Sequence, residues 1–236
     1  MAEQERGTIA IGFVHEALVV VRQRGLDTAA LLRQAGISPA LLESEQARVS
    51  PERYGALWLL IARTLDDEFF GLDSRPMKCG SFTLLCHSVL HSDTLTTALR
   101  RALRFLRVVL DDLSGTLSIE NGIAQIRLDE RNGPHRMFAY ATFLVMLHGL
   151  ACWLIGRRIP ILGAEFRCGE PPGLAEYRVL FCADARFDRP ETRIAIDAAC
   201  LDLPVIQSER SIKAFLRGAP ANFLVKYRNS DGLVAR

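Results

Sequence analysis

Residues 114–157 read Ser114-Gly-Thr-Leu-Ser-Ile-Glu-Asn-Gly-Ile-Ala-Gln-Ile-Arg-Leu-Asp-Glu-Arg-Asn-Gly-Pro-His-Arg-Met-Phe-Ala-Tyr-Ala-Thr-Phe-Leu-Val-Met-Leu-His-Gly-Leu-Ala-Cys-Trp-Leu-Ile-Gly-Arg157. The apolar period changes twice within this stretch. Residues 117–120 and 123–129 follow a period of two around Asn121-Gly122, a pair that tolerates positive φ at both turn positions and so signals a hairpin. Ser114-Gly115 reads as the break before it. Pro134 then opens a long, mostly apolar helix over residues 136–157, which Pro160 ends. A helix apolar nearly all round belongs at the centre of a fold. A hairpin beside such a helix predicts an α+β domain, helix-rich with a small antiparallel sheet.

Upstream, the pattern is helical. Ile11, Val14, Leu18 and Val21 recur at helical spacing, with Gly25 placed as a C-terminal cap. Asp27-Thr28, Ser38-Pro39 and Ser50-Pro51-Glu52 each carry a helix start signal. Tyr54, Leu57, Trp58, Ile61 and Leu65 form a stripe suited to a core. Residues 66–80 are a connector, residues 82–91 a buried helix, and Ser92-Asp93 caps the next helix. That helix sets Leu95, Ala98, Ala102 and Leu106 against Arg100, Arg101, Arg104 and Arg107. Downstream, residues 161–168, 185–187 and 192–196 read as strands and residues 174–181 as a short helix. Residues 208–227 form a helical tail broken at Gly218-Ala-Pro220. No linker forces two domains, so residues 1–236 are expected to form one. Its parts are a helical segment at 1–75 packed on the sheet, an α/β part at 76–206 with the hairpin at 117–129, and a C-terminal helical segment at 207–236.

Composition excludes several classes. The chain has 236 residues, 49% of them apolar, and Lys+Arg of 29 against Asp+Glu of 27 for a net charge of +2. That balance removes the electrostatic footprint of a nucleic-acid binder from this segment. The run from residue 143 to 155 contains His148 and is too short for a membrane span. The polar start is no signal peptide. The six cysteines are scattered, so they read as reduced cytosolic thiols.

Candidate chemistry is sparse, and no phosphate-cradling, nucleophile-elbow or zinc-protease motif occurs. His87 and His91 share a helix face beside Cys86, with Cys79 nearby, but a third ligand at the right spacing is missing. Cys152 and His148 lie four apart on the long helix. A reactive thiol wants an electropositive, part-exposed site, so core packing is the plainer reading of this pair. The best candidates for lining an effector cavity are Phe82, His87, Arg104, Tyr140, Phe143, His148 and Trp153. The aromatics supply apolar area, Arg104 a fork for a carboxylate, and the histidines and Tyr140 orienting polar tips.

Four stretches, taken in order, resemble the N-terminal effector-binding region of AraC/XylS-type bacterial transcription regulators, in the subfamily with an arabinose-binding-like N-terminal part. They are Gly25-Leu-Asp-Thr-Ala-Ala-Leu-Leu-Arg-Gln-Ala-Gly-Ile-Ser with Val49-Ser-Pro-Glu-Arg-Tyr; Gly80-Ser-Phe-Thr-Leu-Leu with His91-Ser-Asp-Thr-Leu-Thr-Thr-Ala-Leu-Arg-Arg-Ala-Leu-Arg-Phe; Glu176-Tyr-Arg-Val-Leu-Phe with Ala185-Arg-Phe-Asp; and Ala199-Cys-Leu-Asp-Leu-Pro-Val. The resemblance implies a cytoplasmic, non-enzymatic ligand sensor that forms a homodimer and needs no cofactor. It implies DNA contact only through a following pair of helix-turn-helix units. The sequence ends about where those units would begin, which reads as a sensory half without its DNA-reading half. The alternatives are a small enzyme using Cys152/His148 or a His87/His91 metal, and a pure interaction module.

Overall fold

The computed structural model describes residues 7–224. A two-residue strand β1 (Ile9–Ala10) pairs antiparallel with β2 (Arg48–Val49) and ties the start of the chain to the end of its first helical unit. Between them lie α1 (Ile11–Ala17), α2 (Val19–Gln23), α3 (Thr28–Gln34) and a 3-10 turn at Pro39–Glu43. The expected first helix is therefore two, interrupted at Leu18. Asp27 caps α3 by accepting the Ala30 N–H at 2.9 Å. Ser38 starts the 3-10 turn without a side-chain cap, contrary to its start signal.

Ser50 caps α4 (Pro51–Leu65), accepting the Arg53 N–H at 3.3 Å. After the 66–80 connector come α5 (Ser81–Leu90) and α6 (Leu95–Val109). The cap of α6 is Thr94, not Ser92-Asp93. Ser92 is buried and its hydroxyl accepts from Arg101 instead.

The hairpin comprises β3 (Leu113–Glu120) and β4 (Ile123–Glu130). Asn121 and Gly122 have φ of 50° and 77°, the positive values of a type I′ turn that asparagine and glycine tolerate. Ser114 and Gly115 are not a break but part of β3. A Cβ on Gly115 would lie 2.6 Å from Leu103 Cδ2, so glycine here lets α6 approach the sheet.

The long helix is α7 (Met137–Leu154), followed by β5 (Ile161–Glu165), α8 (Leu174–Leu180), β6 (Thr192–Asp197), α9 (Glu209–Gly218) and α10 (Ala221–Leu224). Strand order is β3-β4-β6-β5, all antiparallel. The expected strand at 185–187 is reduced to one parallel bridge between Glu165 and Arg186. The expected helical tail beyond Leu224 lies outside the described residues.

One apolar core runs from Ile9 to Leu224. By length and composition α7 could cross a membrane, which the shorter apolar run in the sequence concealed, but nearly all of it is enclosed by the other elements. Three carboxylates hold the polar connector under this core. Asp67 accepts from the N–H groups of Phe69, Gly71 and Met77. Asp73 accepts from those of Arg75, Asp111, Asp112 and Leu113, and Asp112 from Ser74 N–H and the Asn132 amide. A buried carboxylate persists only where donors surround it in this way.

Candidate functional site

The seven side chains expected to line a cavity do not converge. Tyr140 and Phe143 are fully buried. The Tyr140 hydroxyl accepts the His135 N–H at 2.9 Å and neighbours Glu130 and Thr192, and its pKa is raised above the usual phenol range chiefly by burial. Phe143 packs against the sheet near Gly115. Trp153 stacks on Phe215 with ring centroids 4.3 Å apart and holds α9 in place. Phe82 packs against Phe215 and Phe223 beside a cavity of about 90 Å³. Arg104 is exposed on the outer face of α6 and does not reach inward.

His148 borders a cavity of about 40 Å³, which is smaller than any drug-sized ligand. Its Nε2 lies 2.8 Å from the Ile159 carbonyl, so the ring donates there. Burial lowers its pKa, and burial pushes the Cys152 thiol up to about 11. Cys152 Sγ sits 3.6 Å from His148 Nε2 but accepts the Ile159 N–H at 3.3 Å. A thiol with a raised pKa, in an apolar setting, is poorly placed as a nucleophile.

His87 and His91 do share a face. There they meet Glu209 of α9, at 3.9 and 3.1 Å, rather than a third metal ligand. Cys86 is buried. Cys79 Sγ lies 3.2 Å from the Ala62 carbonyl. Among the described residues no group of three or more His, Cys, Asp or Glu side chains is placed to hold a metal.

A larger cavity lies elsewhere among the described residues. A cleft of about 570 Å³ opens between α1, the segment entering β2, and the start of α8. Cavities of roughly 300–1,000 Å³ are the usual size for small-molecule sites. Phe13 and Tyr177 form an aromatic wall, with centroids 5.1 Å apart and rings nearly perpendicular. Arg48 binds Glu176 through two contacts of 2.6 and 3.0 Å and also reaches Thr8, so one guanidinium joins β2 to α8. Glu16 is held by Arg136 at 2.6 Å. His15 Nε2 is 3.1 Å from the Leu42 carbonyl.

Tyr177 is 4% exposed, and none of the hydrogen bonds among the described residues involves its hydroxyl. Burial first, then the charge of Glu16, raises its pKa above the usual phenol range. The ring is buried, but its oxygen is not among the sealed, unpartnered polar atoms of the described residues, so it keeps contact with solvent. A hydroxyl so placed at the wall of a cleft is available to a bound molecule.

The sequence offered little toward this cleft. Arg48 and Glu176 are 128 residues apart, so no local spacing links them. Glu176-Tyr177 did stand in one of the stretches that carried the family resemblance.

The family model described as the arabinose-binding domain of AraC transcription regulators, N-terminal, matches residues 25–205. A curated relative, the ornithine utilization regulator of Pseudomonas aeruginosa, is 23% identical over 200 residues, covering 84% of this chain and 59% of its own length. The chain thus spans under two thirds of that relative. The crystal structure of transcriptional regulator CdpR from Pseudomonas aeruginosa is similar over 85% of this chain and 58% of that one, with 14% identity and a TM-score of 0.40.

Proposed function

This chain belongs to the family of N-terminal arabinose-binding domains of AraC transcription regulators, and from that premise we propose that it is the effector-sensing unit of such a regulator. It is cytoplasmic, dimeric and non-enzymatic, and it acts on transcription through DNA-reading parts of the whole protein rather than by touching DNA itself. The net charge of +2 supports the last point. An effector bound here biases the regulator only by binding its two states with different affinity.

The observation that carries the reading is the 570 Å³ cleft with its charged and aromatic lining. The lining includes the carboxylates of Glu16, Glu45 and Glu176 and the guanidinium of Arg48; Glu16 is already paired with Arg136, and Glu176 with Arg48. A ligand amine would meet the carboxylates, and a ligand carboxylate would compete with Glu176 for Arg48. The aliphatic part would lie on Phe13 and Tyr177. A small amino acid with a basic side chain matches that lining better than a neutral sugar, and the name of the ornithine utilization regulator makes ornithine the first probe.

Thermal unfolding of the chain with ornithine, other amino acids, polyamines and sugars tests the proposal. A ligand at about 100 times its Kd adds about 2.7 kcal/mol of stability. The expected result is a Tm rise for an amine-bearing ligand that Arg48→Ala and Glu176→Gln abolish. A rise that both variants leave intact would place the site elsewhere, and no rise across the panel would overturn the sensing role.

A further inference from the structure

A smaller cavity lies where the last two helices meet the rest of the fold. It measures about 90 Å³ and is bordered by α4, α5, α7 and the joint between α9 and α10. That volume holds several waters or the head group of a small organic molecule, not a drug-sized ligand. Leu59 is 40% exposed and Thr83 is exposed, so the cavity has a rim in solvent.

Three aromatic rings stand on its wall. Trp58 lies edge-on to Phe223 with centroids 6.3 Å apart and planes at 89°, and Phe82 is 5.3 Å from Phe223 at 46°. Rings tilted against one another in this way make the sides of a box rather than a stack. Glu68 adds a carboxylate to the lining. Its two oxygens accept the Gly80 and Phe82 N–H groups at 2.7 Å each, which fixes the carboxylate at the start of α5. No cation pairs with Glu68 among the described residues; Lys78 is held by Asp66 at 2.6 Å. Burial raises the Glu68 pKa against the pull of the two N–H bonds, and the charges of Asp67 and Asp66 add to the rise. A carboxylate in that position gains from a positive charge beside it.

The rest of the lining selects the kind of cation. Met146, Leu216 and Pro220 are apolar, and only Glu68 and Thr83 bring side-chain oxygen. A metal ion needs several oxygen ligands, and a primary ammonium has three protons to place. A methylated ammonium needs neither. Its methyl groups pack on carbon, and its diffuse charge lies against ring faces and a carboxylate.

We propose that this cavity binds a methylated ammonium head group, with Trp58, Phe82 and Phe223 as the cage and Glu68 as the counter-charge. The site shares no lining residue with the 570 Å³ cleft and does not depend on the role given to that cleft. Leu216 and Phe223 belong to α9 and α10, so an occupied cage ties their joint to α4 and α5.

Tetramethylammonium chloride, titrated into the chain, tests the site. The readout is the indole N–H resonances of the two tryptophans in heteronuclear NMR. Sodium chloride at the same ionic strength and tert-butanol, a neutral molecule of similar shape, are the controls. The expected result is a saturable shift of Trp58 that neither control produces, with Trp153, outside the lining, moving less. Glu68→Gln removes the counter-charge, and Thr83→Lys sets a tethered ammonium at the rim. Each should raise the Kd about 10-fold. If Glu68→Gln fails to fold, Thr83→Lys, at an exposed position, decides. No saturable shift, or an equal response to tert-butanol, would overturn the site. So would binding that survives Glu68→Gln and Thr83→Lys but is lost in Glu176→Gln, which would put the cation in the larger cleft.

Discussion

The central helix α7 and the cleft beside α8 carry similar side chains and use them differently. Each has a buried tyrosine and a histidine near aromatic rings. On α7 the polar tips are occupied from within: Tyr140 accepts the His135 N–H and His148 donates to the Ile159 carbonyl. In the cleft the Tyr177 hydroxyl has no partner among the described residues, and the cavity beside it measures about 570 Å³ against about 40 Å³ beside His148. A binding site is marked by unused hydrogen-bonding capacity next to open volume, not by residue type.

Four substitutions or conditions sharpen this contrast. The largest effect belongs to the core. Phe143→Ala empties a fully buried position on α7 and should cost about 3–5 kcal/mol in urea unfolding, without changing effector affinity in the folded fraction. Gly149→Ala comes next. Its Cβ would collide with Phe223 Cβ, so α10 must shift at a cost of about 1–3 kcal/mol. Trp58 stands edge-on to Phe223 at 6.3 Å and should report the shift in its fluorescence.

A smaller effect is expected from His148. Its folded pKa is depressed by burial, so the unfolded chain takes up the proton first. Stability should be constant above about pH 6.5, the unfolded value. It should fall as pH drops below that toward the folded pKa, and the slope should flatten in His148→Gln. Urea midpoints measured across this range decide the matter; an unchanged slope in the variant would place the titration in another group. The smallest stability change is predicted for Tyr177→Phe, within about 0.5 kcal/mol, because the lost hydroxyl has no partner among the described residues. Calorimetric titration should nevertheless show effector affinity reduced about fivefold, the equivalent of about 1 kcal/mol for one hydrogen bond.

Much of the fold was legible in local chemistry. Asn121-Gly122 declared its turn because few residues tolerate positive φ at two successive positions. Ser50 and Asp27 declared helix starts because their oxygens satisfy amides otherwise left bare. Local reasoning failed where a partner came from far away. Gly115 looked like a break because its reason, Leu103 of α6, is a tertiary neighbour. Ser92 looked like a cap, yet Arg101 binds its hydroxyl and Thr94 caps the helix. The roles of Asp67, Asp73 and Asp112 were invisible, since each binds amides of a connector with no periodicity.

For the candidate site the sequence carried even less. It correctly marked α7 as central and placed the chain in its family, since periodicity and ordered motifs are properties of the chain itself. It could not distinguish a polar tip that is satisfied inside the core from one that faces a cavity. That distinction depends on which distant segments meet: Arg48 with Glu176, Phe13 with Tyr177, His91 with Glu209. Short-range sterics and hydrogen bonds determine helices, turns and strands before the chain collapses. Cavities, and the groups left to line them, exist only after elements far apart in sequence have packed.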